Sequence, residues 1–240
     1  MVLAGIFFMV LLQQAAGMKN PSFSSLLTNH VSVQMEIINK HNDLRRMTNP
    51  TARNMLKMNW NAEVAKNAEN WAKKCTLSHS HPNQRKIRFA GCGENLFKST
   101  QPMSWSNVIQ SLYNEHKNFK YGFGDTQGNA KTGHYTQIVW ATSHQLGCAL
   151  AHCPQKTFRY YYVCQYCPVG NNRRIIKTPY KRGKPCGDCP DYCDNGLCTN
   201  PCMYVDKYSN CADILRVEGC DTTLMKENCQ ATCKCSSEIK

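Results

Sequence analysis

The run CMYVDKYSNCADILRVEGCDTTLMKENCQATCKC, residues 202–235, has the spacing C-x8-C-x8-C-x8-C-x3-C-x-C and decides how the C-terminal part of this 240-residue chain is built. So few aliphatic side chains in so short a stretch cannot hold a fold by burial, and paired sulfurs must supply the constraint, as in small exported scaffolds. Immediately before it stand Cys186, Cys189, Cys193 and Cys198, so ten of the sixteen cysteines lie in the last 55 residues. A module tied in this way displays a few rigid side chains and loses little entropy on binding, which suits contact with a partner.

At the other end, residues 2–12 form an apolar run followed by Gln13, Gln14, Ala15, Ala16 and Gly17, the pattern of a signal peptide cleaved after Gly17. The run is shorter than the roughly 20 apolar residues that span a bilayer, and no later segment approaches that length. The mature chain is expected to be soluble and secreted, with every cysteine in an oxidising compartment. The organisation reads as a signal peptide over 1–17, a large domain over 18–167, a linker and four-cysteine hinge over 168–201, and the six-cysteine module over 202–240.

The net charge of +13 is unevenly placed. Residues 18–167 hold 18 Lys and Arg against 7 Asp and Glu, residues 168–201 hold 6 against 3, and residues 202–240 hold 5 against 6. A basic large domain favours anionic partners such as sulfated glycans, acidic proteins or membrane surfaces, while solubility alone accounts for the charge equally well. The cluster Arg173, Arg174, Lys177, Lys181, Arg182 and Lys184 reads either as a heparan-type sulfate site or as a solvated hinge. Export and the lack of any nucleic-acid motif argue against DNA or RNA as a partner.

Hydrophobic spacing predicts helices over 33–47, 61–74 and 105–119, an irregular segment marked by Gly122, Gly124, Gly128 and Gly133, and a strand pair over 146–152 and 158–166. Cys148, Cys153 and Cys164 are placed to link that pair internally and to the helices. Helices interleaved with a few non-local strands imply an α+β or layered α/β/α domain.

Three stretches then carry a resemblance: CGEN at 92–95, GHYTQIVW at 133–140 and YYVCQYCPVGN at 161–171. Together they resemble the signatures of the CAP superfamily, and with the tail they are similar to the cysteine-rich secretory proteins; NPSFSSLLTNHVSVQMEIINKHNDLRR at 20–46 looks most like reproductive-tract members from mammals. The resemblance implies an α+β fold, with an α/β/α sandwich (the CAP domain) followed by a two-disulfide hinge and a small helical ion-channel-regulator module similar to sea-anemone potassium-channel toxins. It implies the pairings Cys75–Cys153, Cys92–Cys167 and Cys148–Cys164 in the sandwich, Cys186–Cys193 and Cys189–Cys198 in the hinge, and Cys202–Cys235, Cys211–Cys229 and Cys220–Cys233 in the tail. Spacing alone selects no connectivity. Short spacings such as Cys186-x2-Cys189 and Cys229-x3-Cys233-x-Cys235 also suit zinc, although export favours disulfides.

The same resemblance implies a cleft tetrad of His79, Glu94, Glu115 and His134. Their separations are too long for a local motif, so only the fold can assemble them. Two imidazoles with two carboxylates suit weak zinc binding through His79 and His134, a structural polar cluster, or general acid–base hydrolysis. No nucleophile has a defined place beside them; Ser78 and Ser80 merely flank His79 in sequence. The function that the resemblance implies is that of a secreted, non-enzymatic interaction protein that needs no cofactor and modulates ion channels or binds cell surfaces, in sperm maturation or sperm–egg interaction. The alternatives are a tetrad-dependent hydrolase, a sterol-binding or lipid-binding carrier, and a venom-type channel inhibitor. The lysine–tyrosine pair of the related toxins is missing between the third and fourth tail cysteines, where Lys226 is followed by Glu227; Lys207 and Tyr208 are adjacent but lie earlier, and are expected to be exposed.

Overall fold

The computed structural model describes residues 20–240 except Phe89 and Ser209, so the signal segment expected over 1–17 lies outside the described residues. The large domain is built from α1 (Val31–Arg46), β1 (Asn59–Trp60), α2 (Ala62–Ala72), β2 (Gly93–Ser99), α3 (Trp105–Tyr113), α4 (Gly133–Ile138), β3 (Gln145–His152) and β4 (Tyr160–Cys167). The strands form one sheet in the order β1-β3-β4-β2, with β1 parallel to β3 and the other two pairings antiparallel.

Strand periodicity divides the core into two layers. Leu146, Cys148 and Leu150 of β3, with Tyr162, Cys164 and Tyr166 of β4, face α1, α3 and α4. Their neighbours Ala149, Ala151, Tyr161 and Val163 face Ala68 and Ala72 of α2. Both faces of the central strands are covered, which is why these strands read as continuous apolar runs instead of alternating ones. Gly147 sets the approach of α2: a Cβ there would fall 2.0 Å from the Ala65 backbone nitrogen. The side chain of Asn61 caps this helix by accepting from Val64 N at 3.0 Å, and Ser104 caps α3 by accepting from Asn107 N at 3.3 Å.

Two elements depart from the expected pattern. The helix anticipated over 105–119 is α-helical only to Tyr113 and tightens into a 3-10 turn over Asn114–Asn118, a polar run with little to bury, which swings Glu115 toward α4. The glycine-marked segment ends where α4 begins, at Gly133 itself.

All sixteen cysteines are paired: Cys75–Cys153, Cys92–Cys167, Cys148–Cys164, Cys186–Cys193, Cys189–Cys198, Cys202–Cys235, Cys211–Cys229 and Cys220–Cys233. In the tail, α5 (Cys211–Glu218), α6 (Thr223–Asn228) and α7 (Gln230–Lys234) wrap a core of Met225, Cys211 and Cys229. The stretch read as a linker is fastened down over its second half. Arg53 N donates to Lys181 O at 2.8 Å, Gly183 N donates to Thr51 O at 2.9 Å, and Tyr180 is buried. The hinge continues this docking, with Leu56 packed among Cys186, Cys189, Cys198 and Ile239. Because Ile239 belongs to the tail's last residues, that cluster pins hinge and tail to the large domain together.

At the centre of the large domain, Arg45 is 1% exposed and has no carboxylate partner. Its guanidinium donates to the carbonyls of Leu56 (2.9 and 2.6 Å), Ile138 (2.8 Å), Trp140 (2.8 Å), Ala141 (3.0 Å) and Ser143 (3.2 Å). One turn earlier on α1, His41 is wholly buried; its Nδ1 lies 2.8 Å from the Ile37 carbonyl, which can only accept, so Nδ1 carries the proton. Nε2 then accepts from the Tyr166 hydroxyl at 2.9 Å. This arrangement requires the neutral ring.

Replacing Arg45 by Leu takes the guanidinium donors from five buried carbonyls, of which Trp140 and Ala141 keep a backbone donor, and is expected to cost about 3–5 kcal/mol, read as a fall in Tm on the order of 10 °C. Burial, opposed by the Ile37 carbonyl and reinforced by Arg45, lowers the His41 pKa from 6.5 to about 4. The unfolded chain therefore takes up a proton that the native state refuses. Stability is complete above about pH 6.5 and falls as pH drops toward 4, by about 3 kcal/mol from this residue. Thermal unfolding of the wild type and His41→Gln across that window checks this: the variant's Tm should depend less steeply on pH, and an equal slope would refute it.

Candidate functional site

The cleft is assembled where β2 passes between the loop after α2 and the start of α4. Gly93 makes this possible, because a Cβ on it would fall 2.0 Å from the Gln137 side-chain oxygen of α4. The next two residues of β2 do the joining. Asn95 donates through Nδ2 to the His134 carbonyl at 3.0 Å, fixing α4 against the strand. Glu94 turns to the other wall, opposite Gln165 in the β2–β4 register.

There the carboxylate of Glu94, its side chain only 1% exposed, is almost fully hydrogen-bonded. Oε1 accepts from His79 Nδ1 at 2.9 Å and from Ser80 N at 2.9 Å; Oε2 accepts from Ser80 Oγ at 2.8 Å and from Gln165 Nε2 at 3.1 Å. Arg85 stands behind, with Nη1 3.9 Å from Glu94 Oε1 and hydrogen-bonded to the Ser80 carbonyl. Burial alone would raise the Glu94 pKa, but the bonds from His79, Ser80 and Gln165 outweigh it and hold the group below its ordinary value.

The second pair repeats the design. Glu115 Oε1 accepts from His134 Nδ1 at 2.7 Å, while Oε2 accepts from the backbone nitrogens of His134 at 2.8 Å and Tyr135 at 3.3 Å. Its desolvation is likewise overcome by these bonds, led by that from His134, and its pKa is lowered. The 3-10 turn that cut α3 short is what delivers this carboxylate to the first turn of α4.

His79, Glu94 and His134 line one open cavity of about 620 Å³, together with Leu77, Asn95, Lys98, Lys131 and Asn171, while Glu115 sits behind His134. The histidines differ in access, with side chains 58% exposed at His79 and 27% at His134. Because each Nδ1 donates to a carboxylate, the neutral ring of each carries its lone pair on Nε2. This is the orientation a metal-binding imidazole takes when a carboxylate supports it from behind. Both carboxylates are already committed to histidine and to backbone or neighbouring side chains, and among the described residues no group of three His, Cys, Asp or Glu side chains is placed to hold a metal ion. Each carboxylate thus holds its own histidine, and the two imidazoles line one cavity without a closed set of ligands around a common point.

Sequence reading named Ser80 only as a neighbour of His79 and missed three other residues that support the tetrad: Arg85, Asn95 and Gln165. Asn95 and Gln165 stood inside CGEN and YYVCQYC, and the polar Gln165 within an otherwise apolar strand was the available signal, since a buried amide needs partners. The remaining histidines spread out: His41 and His144 are buried, while His30 and His81 are exposed. Lys207 and Tyr208 are both exposed on the tail.

No helix among the described residues is long and apolar enough to cross a membrane. A profile described as "Cysteine-rich secretory protein family" matches residues 38–166, and one described as "Crisp" matches residues 186–240. The chain is 54% identical to human cysteine-rich secretory protein 2 over 92% of its length and 91% of that protein's. It is also 52% identical to cysteine-rich venom protein helothermine of Heloderma horridum horridum over 96% of this chain and 95% of that one. Among solved structures, that of NaASP2 with Zn2+ is 33% identical, covers 71% of this chain and 96% of the other, and superposes with a TM-score of 0.59. With the sandwich, the docked hinge, the cysteine-rich tail and these matches in agreement, this chain belongs to the cysteine-rich secretory protein family.

Proposed function

We propose that the protein is a secreted, non-enzymatic interaction protein whose cysteine-rich tail engages an ion channel or another cell-surface protein. The observation that carries this reading is what the tail leaves exposed. Met203, Tyr204, Val205 and Tyr208 are 57%, 42%, 41% and 45% exposed within six residues, on a scaffold whose three disulfides leave little freedom to lose. The tail's 5 basic against 6 acidic residues speak for recognition through this apolar and aromatic face instead of a lysine plug in a cation pore.

Against catalysis stands the engagement of the flanking serine: Ser80 Oγ donates to Glu94 and the residue is buried, so it lacks the histidine partner that a nucleophile requires. We place the protein in sperm maturation or sperm–egg interaction; the 20–46 stretch and the match to human cysteine-rich secretory protein 2 support this, although the venom protein matches nearly as well. A lipid-carrying reading has one observation behind it, a groove of about 670 Å³ lined in part by Phe23, Leu27, Trp60 and Leu150.

Patch-clamp recording with the full chain separates these readings. The double substitution Met203→Ser/Tyr208→Ser should abolish a channel effect, whereas His79→Ala/His134→Ala should leave it intact; the reverse pattern would overturn the tail reading. For the cleft, isothermal titration should show zinc binding that disappears in His79→Ala/His134→Ala. In Glu94→Gln, where His79 loses its charged support, it should weaken about 10- to 100-fold. Zinc binding that is absent in the wild type or unchanged in the double variant would remove the metal proposal.

A further inference from the structure

Two turns of the large domain lie side by side. The first joins the two-residue strands Phe119–Lys120 and Gly124–Asp125, where Phe123 N donates to Lys120 O at 3.0 Å. The second, over 175–178, is closed by Thr178 N donating to Ile175 O at 2.8 Å. Gly122 N donates to Lys177 O at 2.8 Å and ties one to the other, and the Lys177 stem lies along Gly124, where a Cβ would meet its Cγ at 3.3 Å. Both turns are seated on the domain. The Tyr121 ring lies 5.0 Å from that of buried Tyr180 and its hydroxyl donates to the Tyr180 carbonyl at 2.8 Å; Asn171 Nδ2 donates to Gly133 O at 2.8 Å, and Pro179 O accepts from Ala141 N at 2.9 Å.

The aromatic residues of the first turn are put to different uses. Phe119 packs 5.3 Å from the Tyr135 ring and Tyr121 packs on Tyr180, whereas Phe123, beyond the positive φ of 80° at Gly122, is 60% exposed. On the neighbouring turn Ile175 is 50% exposed. One exposed apolar side chain is ordinary, but two on joined turns among cations form a patch. Lys117, Lys120, Arg173 and Lys177, all exposed, lie in or beside these turns. Opposing charge is scarce: between Glu115 and Asp188 the sequence has one acidic residue, Asp125. Its carboxylate serves its own loop, accepting from Gln127 N at 2.8 Å and Ala130 N at 2.9 Å, while that of Glu115 is turned inward to His134.

We infer that these two turns are a contact site for an anionic lipid bilayer, with Phe123 and Ile175 entering the headgroup layer and the four cations lying among the charged headgroups. The apolar pair decides between anionic partners. A sulfated glycan engages cations but offers no apolar medium for Phe123 and Ile175, whereas a bilayer interface accepts both parts at once, apolar side chains below and charged ends in the water above. Each cation near an anionic leaflet adds to the attraction, and each buried apolar side chain adds further, so a patch of this size gives reversible attachment. The site belongs to the large domain and does not depend on the tail face proposed for a protein partner.

Co-sedimentation of the intact secreted protein with vesicles tests this, with pure phosphatidylcholine set beside phosphatidylcholine and phosphatidylserine at about 3:1. The wild type should pellet with the mixed vesicles only, and less so as salt rises. In Phe123→Ser/Ile175→Ser, whose exposed side chains fill no core position, partitioning should weaken by about tenfold or more while retention on immobilised heparin stays unchanged. Lys120→Gln/Lys177→Gln should weaken it by about tenfold, and Met203→Ser/Tyr208→Ser should leave it as it is. A wild type that ignores phosphatidylserine overturns the inference without recourse to any variant. Equal vesicle binding by a folded Phe123→Ser/Ile175→Ser does so as well, as does loss of binding in the tail variant instead. Retention on heparin without vesicle binding would overturn it in favour of a sulfated glycan.

Discussion

One guanidinium holds the sandwich in register. Arg45 reaches from α1 to five carbonyls that belong to the segment before β1, to the end of α4 and to the turn entering β3. A carboxylate would satisfy the charge but could not gather three separate chain segments. The planar fork of five donors does so, and burial that lowers its pKa to about 9 still leaves the group protonated at neutral pH. The Trp140 and Ala141 carbonyls also accept from Ser143 N at 3.2 Å and from Leu56 N at 3.1 Å, and at Leu56, Ile138 and Ser143 the buried cation serves in place of a cap.

From that centre a polar chain runs outward to the cleft. His41 accepts from Tyr166, Asn95 donates to Tyr166 at 3.4 Å, and Asn95 also donates to the carbonyl of His134. The tautomer of a buried histidine and the seating of a half-buried one are thus linked through two intervening side chains. Charging His41 would turn Nε2 into a donor facing a hydroxyl that must then reorient, so the imidazole has to stay neutral for the strand and α4 to keep their places. The cleft histidines are oriented from behind by carboxylates that are themselves pinned, which makes the site rigid before any ligand arrives.

Much of this was legible in the sequence, for physical reasons that differ between elements. Helices α1 and α2 could be read because their apolar positions follow the helical period, and strands β3 and β4 because, covered on both faces, they form continuous apolar runs bounded by turn residues. Strand β2 could not, since Gly93, Glu94 and Asn95 are chosen for closeness to α4 and for bonding to β4 and His79, none of which leaves a periodic trace. The tetrad's residue types were recognisable by resemblance, His79 in SHS, Glu94 in CGEN, Glu115 in NEHKNF and His134 in GHYTQIVW, whereas its organisation into two separate histidine–carboxylate pairs depends on the early end of α3, a tertiary matter. Arg45 stood in the pattern of α1 as one polar residue among others; only burial shows that it is the centre.

The cysteines divide the chain more sharply than its packing does. Bridges confine each part to itself, yet Leu56 from the large domain shares a cluster with hinge cysteines and with Ile239 from the end of the tail, and Asn200 donates to the Ser237 carbonyl at 2.9 Å. The tail therefore presents Met203, Tyr204 and Tyr208 from a defined position instead of from a swinging tether. If the tail binds as proposed, a rigidly held face gains affinity because less motion is lost on binding, and selectivity because the basic large domain must fit beside the same partner. The six-cysteine module is in this way one end of a composite surface, whose orientation is set by a hinge that sequence composition had made look like a spacer.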